Sequence, residues 1–310
     1  MAAKTTSPFT FLKEALVLPT RNPKLFAPIL ILLAVIAFLV PAVNVVSIQP
    51  LTAEMVRHLT EMQTTDPSSA EYARLLEEIR QEARELVLIA VGLSLVTLAL
   101  VFAKQIVAFS GASTTYSGER YSLAELLRWV TKWGNLKGPL VTVAVVTALQ
   151  LTFMALLGVY LSTVMRHAEV LSVQGVLFVL AFLAFMYFGV VAVVGVAVSV
   201  ADERCRGVRA LRRAWRLMTQ VSRKEGALLA AVMVLLPTVL SPLYGLALVY
   251  AQKSMAVGLC LLFGYALLSG VVELFYIAAA TVYYYEAMES KEAVVAFDGY
   301  AKIPSGEANV

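Results

Sequence analysis

Six long apolar stretches decide what this chain can fold into: Leu25–Val46, Leu86–Phe109, Leu140–Val164, Val176–Ser199, Ala227–Tyr250 and Ala256–Tyr283. Crossing ~30 Å of hydrocarbon takes about 20 helical residues, and each stretch is long enough. Charged residues are 15% of the chain, against about 25% in soluble domains, so the deficit is concentrated in these stretches. Barrel strands would be shorter and would alternate polar with apolar, so the stretches read as helices. The expected fold is an all-α polytopic bundle of six transmembrane helices forming one membrane domain over residues 1–310. No short apolar leader with a cleavage site precedes the first stretch, so it reads as a retained span. Pro139, Gly175 and Gly226 sit at stretch edges, where helix breakers belong.

Lysine and arginine in short flanks set orientation. The N-terminal flank carries Lys4, Lys13, Arg21 and Lys24; the second-to-third connection carries Arg120, Arg128, Lys132 and Lys137. The fourth-to-fifth connection carries eight basic residues, from Arg204 to Lys224. The opposite connections are poorer: segment 47–85 has four arginines against eight acids, and the others offer Arg166 and Lys253. An even number of spans therefore puts both termini, including the tail 284–310, on the cytosolic side. Trp129, Trp133, Trp215 and Tyr283–Tyr285 mark one boundary, and Tyr160, Tyr244 and Tyr250 the other.

The densest basic stretch is "GVRALRRAWRLMTQ", Gly207–Gln220. At about 100° per residue, Arg209, Arg212, Arg213 and Arg216 share one arc. Val208, Leu211, Ala214, Trp215, Met218 and Val221 fill the other side. This predicts an amphipathic interfacial helix with its arginines toward anionic headgroups on the cytosolic face. Arg206, Arg209 and Arg212 recur every third residue, as in a voltage sensor. The stretch is only about 14 residues, roughly 21 Å, so it does not itself cross a bilayer. Nucleic-acid binding is excluded by the lack of an aromatic platform or a folded basic domain.

"SLAELLRWVTKW", Ser122–Trp133, repeats the pattern before the third span, with Leu123, Leu126, Leu127, Trp129 and Val130 opposite Glu125, Arg128 and Lys132. "SPFTFLKEALVL" precedes the first span, with Ser7 as N-cap and Pro8 at the first helical position. The expected architecture is three units, each an interfacial helix and a two-span hairpin. The first hairpin carries the exoplasmic helical segment 47–85. There Tyr72, Leu75, Leu76 and Ile79 form an apolar stripe facing Thr52–Met62, and the second helix runs straight into span two.

Little in the chain suggests catalysis. His58 and His167 lie outside the spans, and no nucleophile elbow, phosphate loop or metal-ligand spacing occurs. No enzyme activity, cofactor or metal is therefore expected. Cys205 and Cys260 imply no disulfide; Cys205, in a basic membrane-proximal loop, is a candidate for palmitoylation. Lys104 and Glu273 are ionisable residues inside spans two and six. Counted from the side of segment 47–85, they stand at similar depth, so they are expected to pair or to share a polar cluster. Gly258, Gly264 and Gly270 predict close packing of span six, and Pro237 and Pro242 a kinked span five.

"RNPKLFAPI", "GVRALRRAWRLM" and "TVYYYEAME" resemble motifs of a large group of plant six-span membrane proteins. That group is similar in turn to the membrane domain found beside bacterial glycerophosphoryl diester phosphodiesterases. The resemblance implies residence in the endomembrane system or plasma membrane and carries over no catalytic residues. Where that group often has serine before the tryptophan, this chain has Ala214. The expected function is a non-enzymatic membrane-organising or partner-binding scaffold, touching anionic lipid and a possible membrane-protein partner. The alternative is a transporter or channel for a small or amphiphilic solute, using Lys104, Glu273, Gln150 and the span-five prolines.

Overall fold

The computed structural model describes residues 9–166, 173–202 and 204–301, with side chains described outside 133–135, 164–166 and 291–301. The expected cap at Ser7–Pro8, and His167, lie outside those residues. The elements are α1 (Thr10–Arg21), α2 (Pro23–Val43), a π-helical turn (Asn44–Ile48) and α3 (Gln49–Thr64), followed by α4 (Ala70–Tyr116), α5 (Leu123–Val130), α6 (Trp133–Arg166) and α7 (Val173–Ala201). Then come α8 (Val208–Arg216), a second π-helical turn (Leu217–Val221), α9 (Arg223–Lys253) and α10 (Met255–Ala301). No strand occurs among the described residues. Six helices are long and apolar enough to cross a membrane. A backbone in hydrocarbon must satisfy its own hydrogen bonds, which is why apolar stretches of this length become helices. The most apolar part of α4 has no fully buried residue; Val87, Leu88, Val91 and Leu95 are all exposed, as on a lipid-facing surface.

The chain divides into two compact units. The first comprises Met1–Pro28, Gln105–Leu235 and Leu274–Val310; the second comprises Ile29–Lys104 and Leu236–Glu273. In the first unit, Phe11, Leu18, Leu25, Leu126, Val191, Val194, Leu229 and Tyr283 are fully buried. Polar bonds pin the short helices to this core. Asn22 Nδ2 donates to the Tyr121 carbonyl at 3.0 Å. Ser113 and Tyr285 share a 2.8 Å hydroxyl bond, and Tyr285 stacks on Tyr116. Phe11 of α1 meets the edge of Tyr283, whose hydroxyl donates to the Ser222 carbonyl.

In the second unit, Val45, Ala247 and Leu262 form the buried centre, surrounded by Phe38, Tyr244 and Leu259. Gly270 lets α10 approach α2 so closely that a Cβ there would lie 3.1 Å from the Ala34 backbone nitrogen. Gly258 is pressed against Ala251 in the same way, whereas Gly264 faces open space. In the pair α3–α4, His58 Nδ1 lies 3.0 Å from Glu82, and Arg74 pairs with Glu78 at 2.9 Å.

Several details differ from the sequence expectations. Pro139 lies inside α6, which already begins at Trp133, whereas Pro237 and Pro242 lie inside α9 as expected. Gly226 also lies inside its helix; it is there because a Cβ would meet Tyr283 Oη at 3.1 Å and the Met218 backbone at 3.2 Å. Leu75 is buried, but its neighbour Leu76 is 51% exposed, since adjacent helical residues point about 100° apart. Helix α10 runs on to Ala301, through most of the segment read as a tail.

Candidate functional site

Helix α8 begins at a glycine that only glycine accommodates easily. Gly207 has φ +57° and ψ −127°, and its N–H donates to Thr142 Oγ1 at 2.8 Å. The turn sends α8 back along the C-terminal half of α7, with Leu211 against Gly195 and Trp215 edge-on to Tyr187 at 5.5 Å. Ala210, Leu211, Ala214, Leu217 and Met218 are buried, a three-and-four spacing that marks one helix face. This alters the expected division of the helix. The buried face includes Ala210 and Leu217, while Val208, Trp215 and Val221 stay exposed. The arginines lie opposite the buried face.

Those arginines are not equivalent. Arg213 is half-buried and ion-pairs with Asp202; it also donates to Cys205 Sγ at 3.1 Å and to Met288 Sδ at 3.3 Å. It was expected to face headgroups, but its guanidinium is held toward the chain by Asp202, Cys205 and Met288, which take three of its five N–H donors. Burial pushes the Asp202 carboxyl up. The Arg204 backbone N–H and the Arg213 guanidinium outweigh that and hold it below its ordinary value. Arg209, Arg212 and Arg216 are exposed, and among the described residues no carboxylate pairs with them. All four arginines line a cavity of about 440 Å³.

Arg128 of α5 and Lys132, just past its end, are exposed. Ser122 and Glu125 close a capping box at the start of α5. The Ser122 backbone N–H and hydroxyl both bond the Glu125 carboxylate, which lowers its pKa. The box was legible as Ser-x-x-Glu, the sequence sign of that cap. The Asp202–Arg213 pair had only a weak signal, an acid in the connection ahead of the arginine helix.

The second constellation lies in the membrane. Lys104 Nζ of α4 sits 2.6 Å from Glu273 Oε1 of α10 and donates to Oε2 at 2.8 Å. The side chains are 13% and 27% exposed, so the pair is largely removed from its surroundings. An ion alone in hydrocarbon is costly, and a counter-charge at contact distance offsets that cost. Gln150, a candidate of the transport reading, lies elsewhere, on an apolar cavity of about 250 Å³ that also holds Tyr276. A third cavity, of about 730 Å³, is lined by Asn44, Gln49, Thr52 and Gln252. None of these three cavities is lined by Lys104 or Glu273. Among the described residues no cluster of histidine, cysteine and carboxylate side chains could hold a metal ion.

Six apolar spans, short helices docked on their ends and an ion pair between two spans define an all-helical multi-pass integral membrane protein. Residues 4–289 match the family described as Domain of unknown function (DUF8558), and the chain belongs to that family. Comparison with curated proteins and with solved structures gives no match.

Proposed function

We propose that the protein is a non-enzymatic scaffold that organises membrane lipid or binds a membrane-protein partner. The observation that supports this most is the outward face of α8: three exposed arginines that no carboxylate among the described residues pairs with, on a helix whose opposite face is locked into the core. A rigidly mounted cationic face suits binding at an anionic membrane surface. Arg128 on α5 and Lys132 just after it extend the same character. The basic flanks support a cytosolic location for these helices and both termini. The motif resemblance to plant six-span proteins supports the endomembrane system or plasma membrane as the residence.

The Lys104–Glu273 pair fits a structural role, because each residue neutralises the other. The transporter reading requires that pair to open and exchange its partner. The deciding experiment purifies the full chain in mild detergent and identifies what accompanies it, then reconstitutes it in liposomes. Copurified anionic phospholipid or a defined protein partner, with solute-tight liposomes, supports the scaffold. Solute flux that is lost in Glu273→Gln would replace it with the transporter.

A further inference from the structure

We infer that the α8 cavity is a site for a polyphosphorylated lipid headgroup, one bearing two or more phosphate monoesters, rather than a diffuse patch for any anionic lipid. The inference rests on the scaffold reading and gives it a ligand class.

The first argument is charge. Four arginines line one cavity, and among the described residues the one carboxylate paired with any of them, Asp202, neutralises Arg213 alone. Three cationic groups are left facing the same space. A lipid with a single negative charge would satisfy one of them. A headgroup with several phosphate monoesters satisfies all three, since each planar guanidinium presents paired donors to phosphate oxygens. The volume, about 440 Å³, is that of a ligand cleft and exceeds what a lone phosphate fills.

The second argument is rigidity. The floor of the cavity is helix backbone whose other face is buried, with Leu217 only 2% exposed. Arg213 is held in place by Asp202 and by the sulfurs of Cys205 and Met288. A binding wall fixed in advance loses less conformational entropy on capture than free surface side chains do.

The third argument selects lipid over a soluble phosphate. Val208 and Trp215, 66% and 49% exposed, flank the arginine face on one side of the helix. Trp215 also meets Tyr187 of α7. Tyr187 is the fifteenth of the 29 residues of α7, so the pair lies beside the middle of that span. The arginine face is therefore bordered by an apolar flank that continues along a lipid-immersed helix, which suits the acyl region of a lipid and offers nothing to a soluble phosphate.

The test uses the full chain in detergent and short-chain lipids as titrants. The probes are phosphatidylinositol bisphosphate, phosphatidylserine, free inositol trisphosphate and inorganic phosphate. The bisphosphate lipid should bind at least about tenfold tighter than phosphatidylserine and than either soluble anion. Arg209→Gln, Arg212→Gln and Arg216→Gln should each weaken it by roughly tenfold, as loss of one charge-assisted contact does. These side chains are exposed, so unchanged melting of the variants separates lost binding from lost fold. Arg→Lys at the same positions should recover only part of the affinity, because the charge returns without the paired donors. Equal affinity for phosphatidylserine would overturn the discrete site and leave a diffuse surface, with the scaffold reading intact. Equal affinity for inositol trisphosphate would overturn the lipid source. Unchanged binding by the three glutamine variants would overturn the location.

Discussion

Asp202 holds the guanidinium of Arg213, and this one pair separates an arginine that anchors α8 from three that face outward. The contact joins the end of α7 to α8 across a connection of a few residues. Its carboxylate sits below the ordinary value in the folded chain, so the unfolded chain binds the proton more readily.

A pH dependence follows from that relationship. Stability from Asp202 is complete above the ordinary carboxyl value of 3.8 and is lost as pH falls through the lower folded value. Melting of the detergent-solubilised chain should therefore decline on acidification below about pH 4. Asp202→Asn should remove part of that decline and lower stability at neutral pH. A melting curve in Asp202→Asn that tracks the parent at every pH would show that the pair contributes nothing.

The intramembrane pair makes a different prediction. Breaking it from either side leaves an uncompensated charge, so Lys104→Met or Glu273→Leu alone should destabilise by on the order of 3 kcal/mol. The double variant should recover most of the loss. A double-mutant cycle on unfolding measures the coupling, and additive losses would mean that the two side chains do not act together.

Gly207 holds the turn into α8 in a backbone conformation that strains any residue with a side chain. Gly207→Ala forces a Cβ into the positive-φ region and to 3.3 Å from Val141 Cγ1. The expected cost is roughly 1–3 kcal/mol. It should fall on α8 first, seen as faster alkylation of the half-exposed Cys205 than in the parent chain. Unchanged Cys205 reactivity would show that α8 docks independently of the turn.

The capping box of α5 predicts a milder effect. Ser122→Ala removes the hydroxyl that accepts the Glu125 N–H, which should lower the melting temperature by roughly 2–4 °C. Ser122→Asp, which keeps a capping oxygen, should restore it. Failure of the aspartate variant to do so would assign the loss to something other than the cap.

The membrane class was legible because hydropathy depends on composition within a window, not on partners. The depth of Lys104 and Glu273 was legible for the same reason, since counting along two helices needs no tertiary information. The faces of α8 were harder to read. In this setting both lipid and protein accept apolar residues, so Trp215 and Leu211 look alike in sequence although one is exposed and the other buried. The roles of Pro139 and Gly226 were misjudged for a related reason. Breaker rules describe helices in water, while packed or lipid-immersed helices carry proline and glycine where neighbours take up the consequence. Arg213 looked like its three neighbours because the residue that singles it out lies eleven positions away.

The partners of the intramembrane pair are 169 residues apart in the chain. During synthesis Lys104 is made long before Glu273 exists, and a lysine inside a span opposes insertion, by at most about 2.5–3.5 kcal/mol at the centre and less toward the end, where Lys104 lies. Any chain that ends before residue 273 therefore carries Lys104 in its second span without the carboxylate that neutralises it in the finished fold.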